Sequence, residues 1–91
     1  MIRLNVFIRT TESARAELIE TAKELVAASL ADDGCVAYDL FPSATRPEVL
    51  MICETWRDAA SLSAHERSAH FTALVPRMQR LGELKIERFD F

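Results

Sequence analysis

The chain has 91 residues, 49% hydrophobic and 27% charged, with a formal net charge of -3. That length suits one domain, here residues 1–91, and leaves no room for a second; that balance excludes disorder, which needs low hydrophobicity or a large charge excess. Arg57, Arg67, Arg77 and Arg80 are scattered among acids, which argues against a nucleic-acid partner, because phosphate binding needs a clustered basic surface.

The first run is Met1 to Arg9. Ile2, Leu4, Val6 and Ile8 alternate with Arg3, Asn5, Phe7 and Arg9, a period of two that predicts a strand with one face on a core. Thr10, Thr11 and Ser13 are candidate N-caps for a helix, and Glu12 suits its positive end. Leu18, Ala22, Leu25, Val26 and Ser29 then recur at helical spacing. Asp32, Asp33 and Gly34 end that helix, with Gly34 as the left-handed cap.

Cys35 to Phe41 predicts a second strand, with Val36, Tyr38 and Leu40 on one face. Pro42 to Pro47 is a turn. Glu48 to Trp56 predicts a third strand whose middle, Val49 to Cys53, is apolar at every position. A strand apolar on both faces is covered on both faces. One layer of helices covers one side, so in so short a chain the other side calls for a partner subunit or a second sheet. A domain this small also buries only about 60–65% of its unfolded surface, so a second copy would help its core.

Asp58 suits the cap of a second helical stretch, with a break near Ser68. Pro76 lies inside that stretch, where proline costs about 3 kcal/mol, so a kink or a two-piece helix is expected around it. Gly82 stops the helix, and Leu84, Ile86, Arg88 and Phe89 make a short last strand. The order β-α-β-β-α-β is the ferredoxin-like pattern of an α+β domain.

Cys35 and Cys53 form no CxxC pair and no Cys/His cluster at zinc spacing, and both sit in apolar runs, where a free cysteine acts as a small hydrophobe. No metal site is expected from such spacing. No secretory apolar segment opens the chain and no apolar run approaches the roughly 20 residues that span a bilayer. A cytoplasmic location and no membrane partner are the expectation.

The most unusual segment is Glu54-Thr55-Trp56, followed by Leu62-x-x-His65 and Ser68-x-His70-Phe71. Glu54 and Trp56 share one face of a strand. His65 and His70 differ in direction by about 140° on an unbroken helix, and a break near Ser68 would turn both toward one cavity. Either imidazole suits a general base, the alternative being a surface or capping histidine. Trp56 suits stacking on an aromatic ring and donating its indole N–H, or else a core or interface position. Asn5 suits orienting an oxyanion or O₂, or else a solvated strand face. Glu54 calls for a partner such as His65 or an arginine. Tyr38 suits a hydrogen bond to substrate, or a core hydroxyl.

These motifs, with Gly34-Cys35, Tyr38 and Asn5, resemble the antibiotic biosynthesis monooxygenase family over roughly residues 2 to 90. The resemblance implies a dimeric α/β barrel with an antiparallel sheet in each subunit, the two sheets packed face to face, and a small pocket between sheet and helices. It also implies an oxygenase that uses no metal, flavin or haem. Such an enzyme deprotonates a quinol- or anthrone-like substrate and lets the carbanion pass an electron to O₂. Asn5 and Trp56 match positions that matter for activity in some members, and Tyr38, Glu54 and Phe71 fall where substrate contacts are expected. A second asparagine of those enzymes corresponds to Ile52 here. The histidine ligand of haem-degrading relatives falls near Val75, which argues against haem. Relatives that isomerise phosphorylated sugars share the spacing of His65 and His70. Three readings follow. An oxygenase predicts a pocket of aromatics and Met with few charges. An isomerase predicts an arginine or lysine and both histidines in the pocket. A non-catalytic dimeric binding or stress-response module predicts histidines in solvent and no cavity.

Overall fold

The computed structural model describes residues 1–91 and contains four strands and three helices. Strands β1 (Ile2–Thr10), β2 (Cys35–Pro42), β3 (Val49–Trp56) and β4 (Gly82–Asp90) form one antiparallel sheet in the order β2-β3-β1-β4. Helices α1 (Arg15–Ser29), α2 (Ala59–Glu66) and α3 (Ala69–Leu81) complete the ferredoxin-like βαββαβ arrangement, with the second helical stretch in two pieces. No helix is long and apolar enough to cross a membrane.

The alternation in β1 sorts as its period predicts. Ile2, Leu4, Val6 and Ile8 are buried on the helix side, and Arg3, Phe7 and Arg9 are exposed on the other. In β3, Leu50, Ile52, Glu54 and Trp56 are buried beneath the helices. Leu18, Ala22 and Leu25 of α1 and Met78 of α3 close on them to complete the core. Burying each large apolar side chain is worth about 1.5–3 kcal/mol, so this single layer carries most of the folding free energy.

The other sheet face has no helix over it. One cross-strand row there runs Phe41, Met51, Phe7, Lys85, and the next runs Asp39, Cys53, Asn5, Glu87. Phe7, Phe41 and Phe89 are exposed on it.

Four local expectations are corrected. Val36 does not share a face with Tyr38 and Leu40. A β-bulge sets Cys35 opposite Trp56 and Ala37 opposite Thr55, so Val36 is the extra residue and is 56% exposed, while Cys35 packs on the core. The helix at Pro76 is not divided there; α3 runs through it. Thr72 and Pro76 are both exposed, so water reaches the carbonyl that proline leaves unpaired. The N-terminus of α1 has no side-chain cap at Ala14; instead Thr11 Oγ1 accepts the Ala14 N–H at 3.2 Å, one turn earlier. The last strand is nine residues long rather than short, because it pairs with β1 along its whole length.

Gly34 has φ +81°, the left-handed conformation predicted for it. A Cβ there would lie 2.0 Å from Ser61 Oγ, so the turn after α1 packs directly on α2. That contact brings the acidic turn of Asp32 and Asp33 against the second helical stretch.

Candidate functional site

Two capped helices meet at the site. Asp58 Oδ1 accepts the Ser61 N–H at 2.8 Å and starts α2. Ser68 then joins α2 to α3: its Oγ accepts the Phe71 N–H at 3.2 Å and donates to the His65 carbonyl at 2.6 Å. The chain turns between Glu66 and Ala69, and the turn re-aims His70 relative to His65. Both imidazoles reach the same atom. Asp32 Oδ2 lies 2.8 Å from His65 Nδ1 and 2.8 Å from His70 Nε2.

His65 is 2% exposed. Its ring stacks on Trp56 at a centroid distance of 4.4 Å and meets the Phe71 edge at 5.2 Å and Tyr38 at 5.6 Å. A carboxylate only accepts, so Nδ1 carries the proton and the neutral ring has its lone pair on Nε2. Nε2 is buried and has no hydrogen-bond partner. Burial pushes the His65 imidazole below the usual histidine range, and Asp32 opposes that by hydrogen bond and charge.

The same ring lines an apolar hollow of about 60 Å³ between sheet and helices. Leu4, Val6, Ile52, Leu62 and Met78 are among the apolar side chains that form most of its wall. The polar groups on it are Tyr38, Glu54, His65 and Glu66; no arginine or lysine reaches it. Glu54 is 4% exposed and accepts the Trp56 indole N–H at 2.9 Å. Burial pushes its carboxyl up to about 7, with the Trp56 and Tyr38 hydrogen bonds pulling the other way. Tyr38 sits opposite Glu54 in the β2–β3 register. Burial, then the Glu54 charge, raise its phenol far above the ordinary range, so the hydroxyl stays protonated at neutral pH.

The structure gathers Tyr38, Glu54, His65 and Phe71 on the wall of the hollow, with Trp56 behind them, against His65 and Glu54 and not on the wall itself. It does not bring all the expected residues there. Asn5 lies on the opposite face of the sheet, where its Oδ1 is 3.6 Å from Cys53 Sγ. The parity of β1 dictates this, since Leu4 and Val6 point to the helices. His70 meets Asp32 but does not line the hollow. The Trp56 N–H is taken by Glu54, so it is not free for a ligand, and Glu54 holds neither His65 nor an arginine. Sequence reasoning placed Asp32 only at a helix end. It sits 33 residues from His65, and no local spacing connects them; the one available signal was that an inward-facing histidine requires a partner. Asp32, His65 and His70 also present three ligand-type atoms within 4.8 Å of one another.

The comparisons agree with this fold. A crystal structure of a conserved protein of unknown function from Bacteroides thetaiotaomicron is 56% identical, with a TM-score of 0.97 over 99% of this chain and 96% of that one. A crystal structure titled antibiotic biosynthesis monooxygenase is 27% identical, with a TM-score of 0.92 over 100% of this chain and 98% of that one. YcnE of Bacillus subtilis (strain 168), named for an ascribed monooxygenase activity, is 32% identical over 81 residues, which cover 89% of this chain and 85% of YcnE. The family pattern described as antibiotic biosynthesis monooxygenase matches residues 1–77. With 77 consecutive residues matched and the fold shared from end to end, this chain belongs to the antibiotic biosynthesis monooxygenase family.

Proposed function

We propose that the chain is a cofactor-independent monooxygenase of a small neutral phenol of the quinol or anthrone class, with His65 as its base. The observation that carries this is the pairing of an apolar hollow with one buried, unpartnered acceptor, His65 Nε2. A phenolic O–H that reaches Nε2 gives up its proton; the O–H electron pair stays on the substrate as the phenolate, and the imidazolium is balanced by Asp32. The electron-rich anion then passes an electron to O₂ without a metal or flavin, and substrate plus O₂ become oxygenated product plus water. Tyr38 and Glu54 present a hydroxyl and a carboxyl group, respectively, to the substrate's oxygens. Family membership and the monooxygenase names of relatives support oxygen chemistry.

The hollow argues against the competing readings. An isomerase of a phosphorylated or oxo-acid substrate needs a cation, and the wall has no arginine or lysine. A non-catalytic module predicts solvent-facing histidines and no cavity, against a nearly inaccessible His65 beside a hollow. The hollow is smaller than the roughly 150 Å³ in which benzene sits in an apolar cavity. An aromatic substrate therefore needs α3 to part from β4; Phe71 and Val75 of α3 and Ile86 of β4 line the hollow from those two elements.

The reading includes a homodimer. The uncovered sheet face carries Phe7, Phe41 and Met51 among both charge signs, Arg3 and Lys85 beside Asp39 and Glu87. Such a surface suits itself across a two-fold axis.

Purified protein should consume O₂ with a dihydroxy-aromatic and no added metal or flavin, measured at an oxygen electrode. His65→Ala should lower that rate by about 10²–10⁴-fold. Equal rates for the two proteins would remove the base.

A further inference from the structure

We propose that Asp32, His65 and His70 form a binding site for a first-row divalent cation of the zinc class, a property separate from the oxygen chemistry above. Two imidazoles and one carboxylate are a donor set that such cations take, with remaining positions left to water. The three side chains come from three segments, each fixed independently. Gly34 packs the turn after α1 onto Ser61, Asp58 caps α2, and Ser68 caps α3.

The geometry fits with small adjustments. At metal–ligand distances of about 2.0–2.2 Å each 2.8 Å oxygen–nitrogen edge subtends roughly 80–90°, so both edges open to roughly 3–3.5 Å when an ion replaces the ring protons. The two nitrogens, now within 4.8 Å of each other, close to roughly 3–3.5 Å when both bind one ion. His70 can supply that movement, because its side chain is 22% exposed at the start of α3 and His65 is locked in the core.

Access and charge point the same way. Asp32 and His65 also line an open groove of about 240 Å³ with Asp33, Asp58, Arg57 and Ser61. Three carboxylates outnumber one guanidinium there. Arg57 is committed to Asp33 at 3.4 Å and Asp58 at 3.3 Å, so the two imidazoles are the partners that Asp32 has. A hydrated cation in the groove meets a negative wall and keeps waters on its outer side.

His65 belongs to both the groove and the hollow. A cation on Nδ1 moves the ring proton to Nε2, so His65 then faces the hollow as a donor rather than an acceptor. On the reading of His65 as a base, the cation-bound protein is the form without one; the binding itself does not depend on that reading.

Calorimetric titration of the chelator-treated protein with Zn²⁺ alone tests this without any substrate, so its result is independent of the oxygenase reading. One ion per chain is expected, with affinity lower by at least about tenfold in His70→Ala and in Asp32→Asn. Co²⁺ should give visible absorption with the parent protein and lose it in both variants, while Cys35→Ser keeps it. Absence of binding to the parent protein overturns the proposal. So does equal affinity in the parent and both variants, the mark of an adventitious ion, or loss of the Co²⁺ absorption in Cys35→Ser.

Discussion

Asp32 Oδ2 and His65 Nδ1 stand 2.8 Å apart although 33 residues separate them in the chain. The contact fixes the tautomer of a buried ring, and the tautomer decides that the lone pair faces the hollow. Asp32→Asn removes the compensating charge, and its amide can donate as readily as accept. Oxygen consumption with a dihydroxy-aromatic should fall by roughly 10–100-fold, the usual effect of losing such an orienting partner. An unchanged rate would show that the pair is structural only.

Glu54 gives the protein a stability that falls with rising pH. Its carboxyl is raised from 4.5 to about 7 in the folded state. Between those values the unfolded chain has lost the proton and the native chain still holds it, so stability drops as pH rises through this window and then levels off above about 7. The difference amounts to about 3 kcal/mol. Glu54→Gln keeps the oxygen that accepts the Trp56 N–H and removes the titration. Urea unfolding should therefore show the variant gaining on the parent by up to that amount between pH 5 and pH 8. A gap that does not change with pH would mean that Glu54 titrates normally.

Gly34→Ala should cost at least about 1–3 kcal/mol, read as a lower Tm. Two effects add: the positive φ of Gly34, and a Cβ that would collide with Ser61. Ser61→Gly in the same chain, measured against Ser61→Gly alone, removes both atoms the new Cβ would meet, Oγ at 2.0 Å and Cβ at 2.4 Å, but not the backbone strain, so it should recover part of the loss. Full recovery would leave the φ of Gly34 without energetic weight.

Phe7 and Phe41 flank Met51 in one row of the uncovered sheet face. Light scattering should give twice the 10.3 kDa chain mass for the parent protein. Phe7→Glu with Phe41→Glu should give the single-chain mass, because four like charges would be buried across a two-fold interface. A monomeric parent would sink the homodimer.

Much of the architecture was legible because its signals are local. The period of two in Ile2 to Ile8 and the stripe from Leu18 to Leu25 each name a face without reference to the rest of the chain. Glu54 and Trp56 share a face for the same reason, and Gly34 and Asp58 announce a turn and a cap. Local signals failed where a neighbour decided the outcome. The bulge at Val36 reverses the phase of β2 against β3, solvent at Thr72 lets α3 run through Pro76, and full pairing with β1 lengthens β4.

The sequence by itself determined the order of elements, the inward face of β1 and the aromatic and imidazole side chains available to a site. Tertiary structure alone decided which of them meet. It joined Asp32 to both histidines and gave the Trp56 N–H to Glu54. Periodicity reports which way a side chain points relative to its own backbone. Which partner waits there depends on how separate segments pack, and that is written in no single stretch of the chain.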